Sequence, residues 1–175
     1  MLHVINLING KLRTEGKFNQ VLKNILNHTR YADHNVKFTM DSSKNLYNHW
    51  LAGFSDADAS FQIKILKRIN RDKPEIRLKF KIDKKSNLLL VLIKEYLGGN
   101  IGYRISQDTY YYGSTSFGSA IKVIKYFDQY HLQSRKHISY LRWRKAYRLI
   151  QNKEHLTEKG LTKILIIKSL INHHD

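Results

Sequence analysis

The chain has 175 residues and a formal charge of +17, from 31 lysines and arginines against 14 aspartates and glutamates. Such an excess exceeds what solubility needs and implies a polyanionic partner, nucleic acid first and an anionic membrane surface second. The absence of cysteine excludes disulfides, thiolate metal sites and a cysteine nucleophile, and no apolar run is long enough to span a membrane.

The first twelve residues are mildly apolar but lack a small-residue cleavage site, so no signal peptide is expected. Residues 1–40 read as an N-terminal arm, with a short helix carrying Phe18, Val21, Leu22, Ile25 and Leu26 on one stripe. Residues 41–175 read as one domain. Ser42 or Ser43 is the expected N-cap of a helix running through Leu46, Trp50 and Gly53 to Asp56 and Asp58. Residues 60–65 alternate apolar and polar, a turn is expected at 70–74, and residues 75–82 alternate more cleanly. The second run has Ile76, Leu78, Phe80 and Ile82 on one face, and Glu75, Arg77, Lys79 and Lys81 on the other.

A second helix is expected over 88–97, closed by Gly98 and Gly99. A second hairpin follows, 101–106 and 110–116 around Gln107 and Asp108. Helix 117–130 points Ile121, Ile124 and Phe127 inward. Ser134 caps a helix through Ile150 whose apolar positions are Ile138, Leu141, Ala146 and Leu149, and Thr157 opens a last helix ending near Asn172. Two hairpins among helices make an α+β fold: one four-stranded antiparallel sheet with helices on its apolar face.

The chemistry gathers at Leu51-Ala52-Gly53-Phe54-Ser55-Asp56-Ala57-Asp58-Ala59. Carboxylates at a helix C-terminus are unfavourable by roughly 0.3–1 kcal/mol each, so a compensating cation is expected. Gly53 and Ala57 lie one turn apart and let another helix approach to near backbone contact. After this stretch the strands offer a cationic face, Gln62, Lys64, Arg77, Lys79 and Lys81, extended by Arg104, Ser106 and the tyrosines Tyr110, Tyr111 and Tyr112, at least one of them core. A two-stranded ribbon fits the major groove of B-DNA, where Gln pairs adenine and Arg or Lys pairs guanine. Lys and Arg also serve phosphates, and the same pattern describes a solvated strand face, so base readers are not separable here. The nine histidines form no metal set; His173-His174 has no spaced partner. No Ser-His-Asp arrangement, glycine-rich phosphate loop or zinc spacing occurs.

Six of those nine residues are identical to the signature of the LAGLIDADG homing endonucleases, which the stretch resembles; Phe54, Ser55 and Ala59 depart from it, Ala59 from a glycine. The resemblance covers about residues 47–172 and implies an αββαββα fold. It implies that Asp58, helped by the Ala57 carbonyl, holds catalytic Mg²⁺ or Mn²⁺, with Asp56 either bracing the helix end or acting as a ligand. Lys84, in Asp83-Lys84-Lys85, matches the family's polar active-site position. Lys136 matches its second active-site lysine, with Arg135 as the alternate register. It implies packing of two motif helices through Gly53 and Ala57, hence a second LAGLIDADG chain in a homodimer, and no membrane partner. Residues 1–40 resemble the linker before the second half of two-motif members, or are an ordinary arm. Residues 156–161 resemble the C-terminal segment of fungal mitochondrial members, which together with the single proline and the Lys, Asn, Ile and Tyr richness suggests a mitochondrion or another organelle. The implied function is site-specific hydrolysis of double-stranded DNA. The alternative is a derivative that binds structured RNA without cleaving, an intron maturase or a structural protein of an organellar ribosome. Ala59 and the single motif favour the alternative; Asp58, Lys84 and Lys136 favour the nuclease. The Ala59 backbone is informative, because a positive φ there would cost a non-glycine residue about 1–2 kcal/mol.

Overall fold

The computed structural model describes residues 2–27, 37–67, 69 and 73–171; residues 70–72 of the expected turn, Asn172 and the His173-His174 pair lie outside them. The chain divides into two compact units, Met1–Asn45 and Leu46–Asp175. The first contains α1 (Leu2–Ile8), which the sequence reading missed, and α2 (Glu15–Val21), whose last turn widens to a π-helix over Leu22–Leu26. Within this unit Asn9 bonds both the Lys37 carbonyl and the Thr39 N–H, and Arg13 pairs with Asp41 at 2.7 Å.

The second unit runs α3 (Trp50–Asp58), β1 (Ala59–Leu66), β2 (Glu75–Lys84), α4 (Leu88–Leu97), β3 (Asn100–Arg104), β4 (Thr109–Ser114), α5 (Phe117–Gln129), α6 (Lys136–Gln151) and α7 (Glu158–Leu170). Its sheet is antiparallel in the order β1-β2-β4-β3, so the two hairpins join through their second strands. Helix α3 starts later than expected. Ser43 does not cap it; its N–H is turned onto Asp41, and the Trp50 N–H is taken by the Asn48 side chain. The Tyr126 hydroxyl fixes that start, donating to the Asn48 carbonyl at 2.6 Å and accepting from the Ala52 N–H at 3.1 Å. Between α4 and β3 the chain needs two positive-φ glycines, Gly98 (74°) and Gly99 (92°). A Cβ on Gly99 would also stand 2.7 Å from the Gly113 carbonyl oxygen.

Alternation places Phe61, Ile63, Leu78, Phe80 and Ile82 on the covered face of the sheet. The Phe61 ring lies 5.1–5.7 Å from those of Phe80, Phe127, Tyr140 and Trp143, the centre of the core. The buried stripe of α6 differs from the expected one: Tyr140, Trp143, Ala146 and Tyr147 face in, while Ile138 (49% exposed) and Leu141 (38%) face out. The aromatics win because they fill more volume and their polar tips find partners. Trp143 Nε1 donates to the Gln62 carbonyl, and the Tyr140 hydroxyl meets Asp128 and the Ile124 carbonyl.

Candidate active site and nucleic-acid interface

Helix α3 ends against β1, bringing its last carbonyls and two carboxylates together with residues from two other elements. Asp56 turns to the segment before α6, accepting from the Gln133 N–H (2.8 Å), the Ser134 N–H (3.3 Å) and the Ser134 hydroxyl (2.5 Å). Its lone pairs are thereby used in bracing. Asp58 is left exposed with Lys84 Nζ at 2.6 Å, and that ammonium also lies 4.8 Å from the Phe54 ring centre. From the first turn of α6, Lys136 Nζ donates to the carbonyls of Ser55 (3.2 Å) and Ala57 (3.1 Å). Burial lowers the Lys136 pKa from the ordinary lysine value, and the charges of Asp56 and Asp58 oppose the shift. Two ammonium groups thus supply the cations that carboxylates at a helix C-terminus require. Arg135, the alternate register, precedes α6, and it is Lys136 that reaches the helix end.

The Asp58 carboxylate and the Ala57 carbonyl are hard oxygen donors at the negative end of a helix, a set that fits Mg²⁺ or Mn²⁺. Among the described residues no group of three or more His, Cys, Asp or Glu that could hold a metal gathers, and with Asp56 engaged by Gln133 and Ser134, Asp58 is the carboxylate left available at this helix end. Gly53 and Ala57 are both exposed, and a Cβ built on Gly53 meets nothing within 4 Å. Among the described residues nothing covers that face of α3 at Gly53. Ala59 leaves the helix at φ −89° and ψ 161°, extended backbone that any residue adopts, so its departure from glycine carries no strain.

On the open face of the sheet the register pairs Gln62 with Lys79, Lys64 with Arg77, and Ser60 with Lys81. Arg104 joins from β3, opposite Thr109 of β4. Among these cations Arg77 is paired with Glu75 at 2.5 Å, and Lys81 and Arg104 both with Asp83. Burial first, and then the charges of Lys64, Lys81 and Arg104, lower the Lys79 pKa, while Asp83 opposes the shift. Of the three tyrosines, Tyr112 is core, Tyr110 shares its side of β4, and Tyr111 lies on the cationic face. The Tyr111 ring covers Gly102, where any Cβ would stand 2.4 Å from it, and is flanked by Lys79 and Arg104 at 5.7 and 5.1 Å. Asp83 was not anticipated as a member of this face, although strict alternation from Lys81 put it there. Gln133 and Ser134, as partners of Asp56, had no sequence signal.

The family model described as LAGLIDADG endonuclease matches residues 51–147. The "Uncharacterized cox1 intron-2 37.2 kDa protein" of Schizosaccharomyces pombe is 64% identical over 92% of this chain and 50% of its own length. "Intron-encoded DNA endonuclease aI3" of Saccharomyces cerevisiae is 28% identical over 85% of this chain and 46% of its own. The chain thus spans half or less of these relatives. Among solved structures, I-SmaMI bound to an uncleaved DNA target in the presence of calcium ions superposes with a TM-score of 0.70 and 30% identity, over 79% of this chain and 49% of that one. The homing endonuclease I-TnaI matches in fold, with a TM-score of 0.67 and 22% identity over 72% of this chain and 88% of its own. With its motif helix, its four-stranded antiparallel sheet and these relatives, the chain belongs to the LAGLIDADG endonuclease family.

Proposed function

We propose that this chain is an intron-encoded homing endonuclease subunit that hydrolyses phosphodiesters of a specific double-stranded DNA site, acting as a homodimer in a mitochondrion. The observation that carries this reading is the convergence of Asp58, Lys84 and Lys136 at the foot of a motif helix on which Gly53 and Ala57 present an exposed face. A second copy packed on that face would bring a second Asp58 beside the first. The intron-encoded relatives support the organellar setting.

In this mechanism Gln62, Lys64, Arg77, Lys79, Lys81 and Arg104 take up the DNA, the cations on phosphates or guanines and Gln62 on adenine. The backbone is then delivered to the end of α3. Asp58 and the Ala57 carbonyl would hold Mg²⁺ or Mn²⁺, which when bound activates water and neutralises developing oxyanion charge. Lys84 and Lys136, released from Asp58 and from the α3 carbonyls, turn to the scissile phosphate and stabilise its added negative charge. Asp56 keeps α6, and so Lys136, at the correct distance. The reading as a non-cleaving RNA-binding derivative drew on Ala59 and on the single motif; the extended backbone at Ala59 removes the first ground and leaves the second.

The test is to select a duplex from a randomised DNA library by binding, then to incubate it with the chain in Mg²⁺ and in EDTA. Cutting of both strands in Mg²⁺ alone is expected. A selected duplex that is bound tightly in Mg²⁺ and never nicked would overturn the nuclease assignment.

A further inference from the structure

The cations of the open sheet face are not mounted alike. Arg104, at the end of β3, is fixed on three sides by three other segments. Its Nη2 donates to Asp83 Oδ1 of β2 at 3.1 Å, and its Nη1 donates to Gln107 Oε1 of the β3–β4 turn at 2.8 Å. Its guanidinium carbon lies 5.1 Å from the centre of the Tyr111 ring of β4.

Each support is itself held. Tyr111 stands opposite Gly102 in the register, and its ring occupies the space where a Cβ on residue 102 would come within 2.4 Å, so glycine there is what admits it. The turn that carries Gln107 is pinned by Lys85, whose Nζ donates to the carbonyls of Gln107 and Asp108, both at 3.0 Å. The Tyr103 hydroxyl ties the same turn to the Asp108 carboxylate at 2.5 Å. Asp83 gives its Oδ1 to Arg104 and its Oδ2 to Lys81.

A phosphate contact needs no such mounting, since a mobile ammonium can follow the charge, and it carries no sequence information. A guanine edge needs a planar fork in one orientation, because O6 and N7 must be met together. Fixing the fork beforehand spares the entropy of ordering a long side chain on the DNA. Asp83 and Gln107 engage one guanidinium nitrogen each and leave N–H groups over, and the Arg104 side chain is 32% exposed, so a base edge can reach it. The register places it along the DNA. Lys84, the residue after Asp83, is the ion-pair partner of Asp58 and stands opposite Tyr110, whose other neighbour Tyr103 precedes Arg104. Arg104 therefore lies at the end of the sheet where Asp58 and Lys84 meet.

We propose that Arg104 reads one guanine in the major groove beside the cleavage point, and that Asp83 is its positioning residue, holding the guanidinium for a base edge and away from the phosphates. The inference rests on the duplex-binding reading above and assigns one base pair of that target. It has a consequence opposite in sign to ordinary damage. Asp83→Asn frees Arg104 and Lys81 for phosphates and removes a carboxylate facing DNA. Sequence preference then falls while affinity for unrelated duplex rises, with a salt slope steeper by about 0.9 for each cation that reaches a phosphate.

The experiment selects a randomised duplex library by binding in EDTA, where no cutting intrudes, with wild type, Arg104→Lys and Asp83→Asn. The wild type should fix a guanine at an inner position of each half-site. Both variants should lower the preference there roughly tenfold and keep the others, because lysine keeps the charge but not the fork. Asp83→Asn should also bind a scrambled duplex more tightly than the wild type does. An Arg104→Lys profile unchanged at every position would overturn the proposal, as would loss of affinity by Asp83→Asn for selected and scrambled duplex alike, the mark of a merely structural carboxylate. A wild type that selects no sequence would overturn both this inference and the site-specific reading beneath it. A wild type that selects a site and never cuts it in Mg²⁺ would remove the nuclease assignment alone.

Discussion

Five cations lie on the open face of the sheet, but the structure does not leave them equally available. Arg77 is held by Glu75, and Lys81 and Arg104 by Asp83; Lys64 and Lys79 have no ion pair among the described residues. Replacing both with alanine should therefore remove the two cations that most directly displace counterions from DNA. Each phosphate neutralised contributes about 0.9 to the slope of log K against log salt, so the double variant should be shallower by roughly 1.8. Across a fourfold rise in salt, from about 50 to about 200 mM, the wild type should lose roughly twelvefold more affinity than the variant. The assay is anisotropy of a labelled duplex in a potassium chloride series, with Lys122→Ala plus Lys125→Ala as a control on the helical side. Melting curves check that the fold survives the changes at exposed Lys64 and half-buried Lys79. Parallel salt lines for wild type and Lys64/Lys79 variant would refute the assignment of duplex binding to this face.

Gly53→Ala should raise the melting temperature of the isolated chain, since helix propensity favours alanine by about 0.8–1 kcal/mol and the added methyl meets nothing within 4 Å. The same change should weaken self-association in sedimentation; a variant that dimerises as well as the wild type would remove Gly53 from the interface. Tyr126→Phe deletes the hydroxyl that serves Asn48 and Ala52 and should destabilise by about 1–3 kcal/mol in urea titration. Burial lowers the Lys136 pKa, so its ammonium is lost at a lower pH than a free lysine would be. Cleavage should accordingly fall on the alkaline side, and Lys136→Arg should move that fall to higher pH; a profile identical in the two would separate Lys136 from the chemistry.

Where one local rule governed, the sequence was readable. The alternation of β1 and β2, the glycine pair after Leu97 and the Thr157 cap each appear where expected, because period, positive φ and a side-chain acceptor act over a few residues. Misreadings came where a distant residue decided. Nothing near Ser42 reveals that Tyr126, far along the chain, fixes the start of α3. The inward face of α6 follows Tyr140 and Trp143, whose polar tips are satisfied by α5 and β1, and an aliphatic count cannot anticipate that. At the candidate site Asp58, Lys84 and Lys136 were named from the motif and do converge. Their contacts were not legible: that Asp56 is consumed by Gln133 and Ser134, and that Lys136 sits on the α3 carbonyls, depends on the approach of two elements distant in sequence.

The central claim is that Asp58 is the cutting residue of a motif-helix site. It is tested most directly by comparing wild type and Asp58→Asn on one selected duplex, for both binding and Mg²⁺-dependent cleavage. Asparagine keeps the shape and removes the charge that would hold the metal. Cleavage should fall by orders of magnitude, each tenfold corresponding to about 1.36 kcal/mol of transition-state stabilisation. Binding should hold or tighten, because a carboxylate facing phosphate has gone and Lys84 is freed from its 2.6 Å ion pair. Undiminished cleavage by Asp58→Asn, with binding intact, would contradict the account.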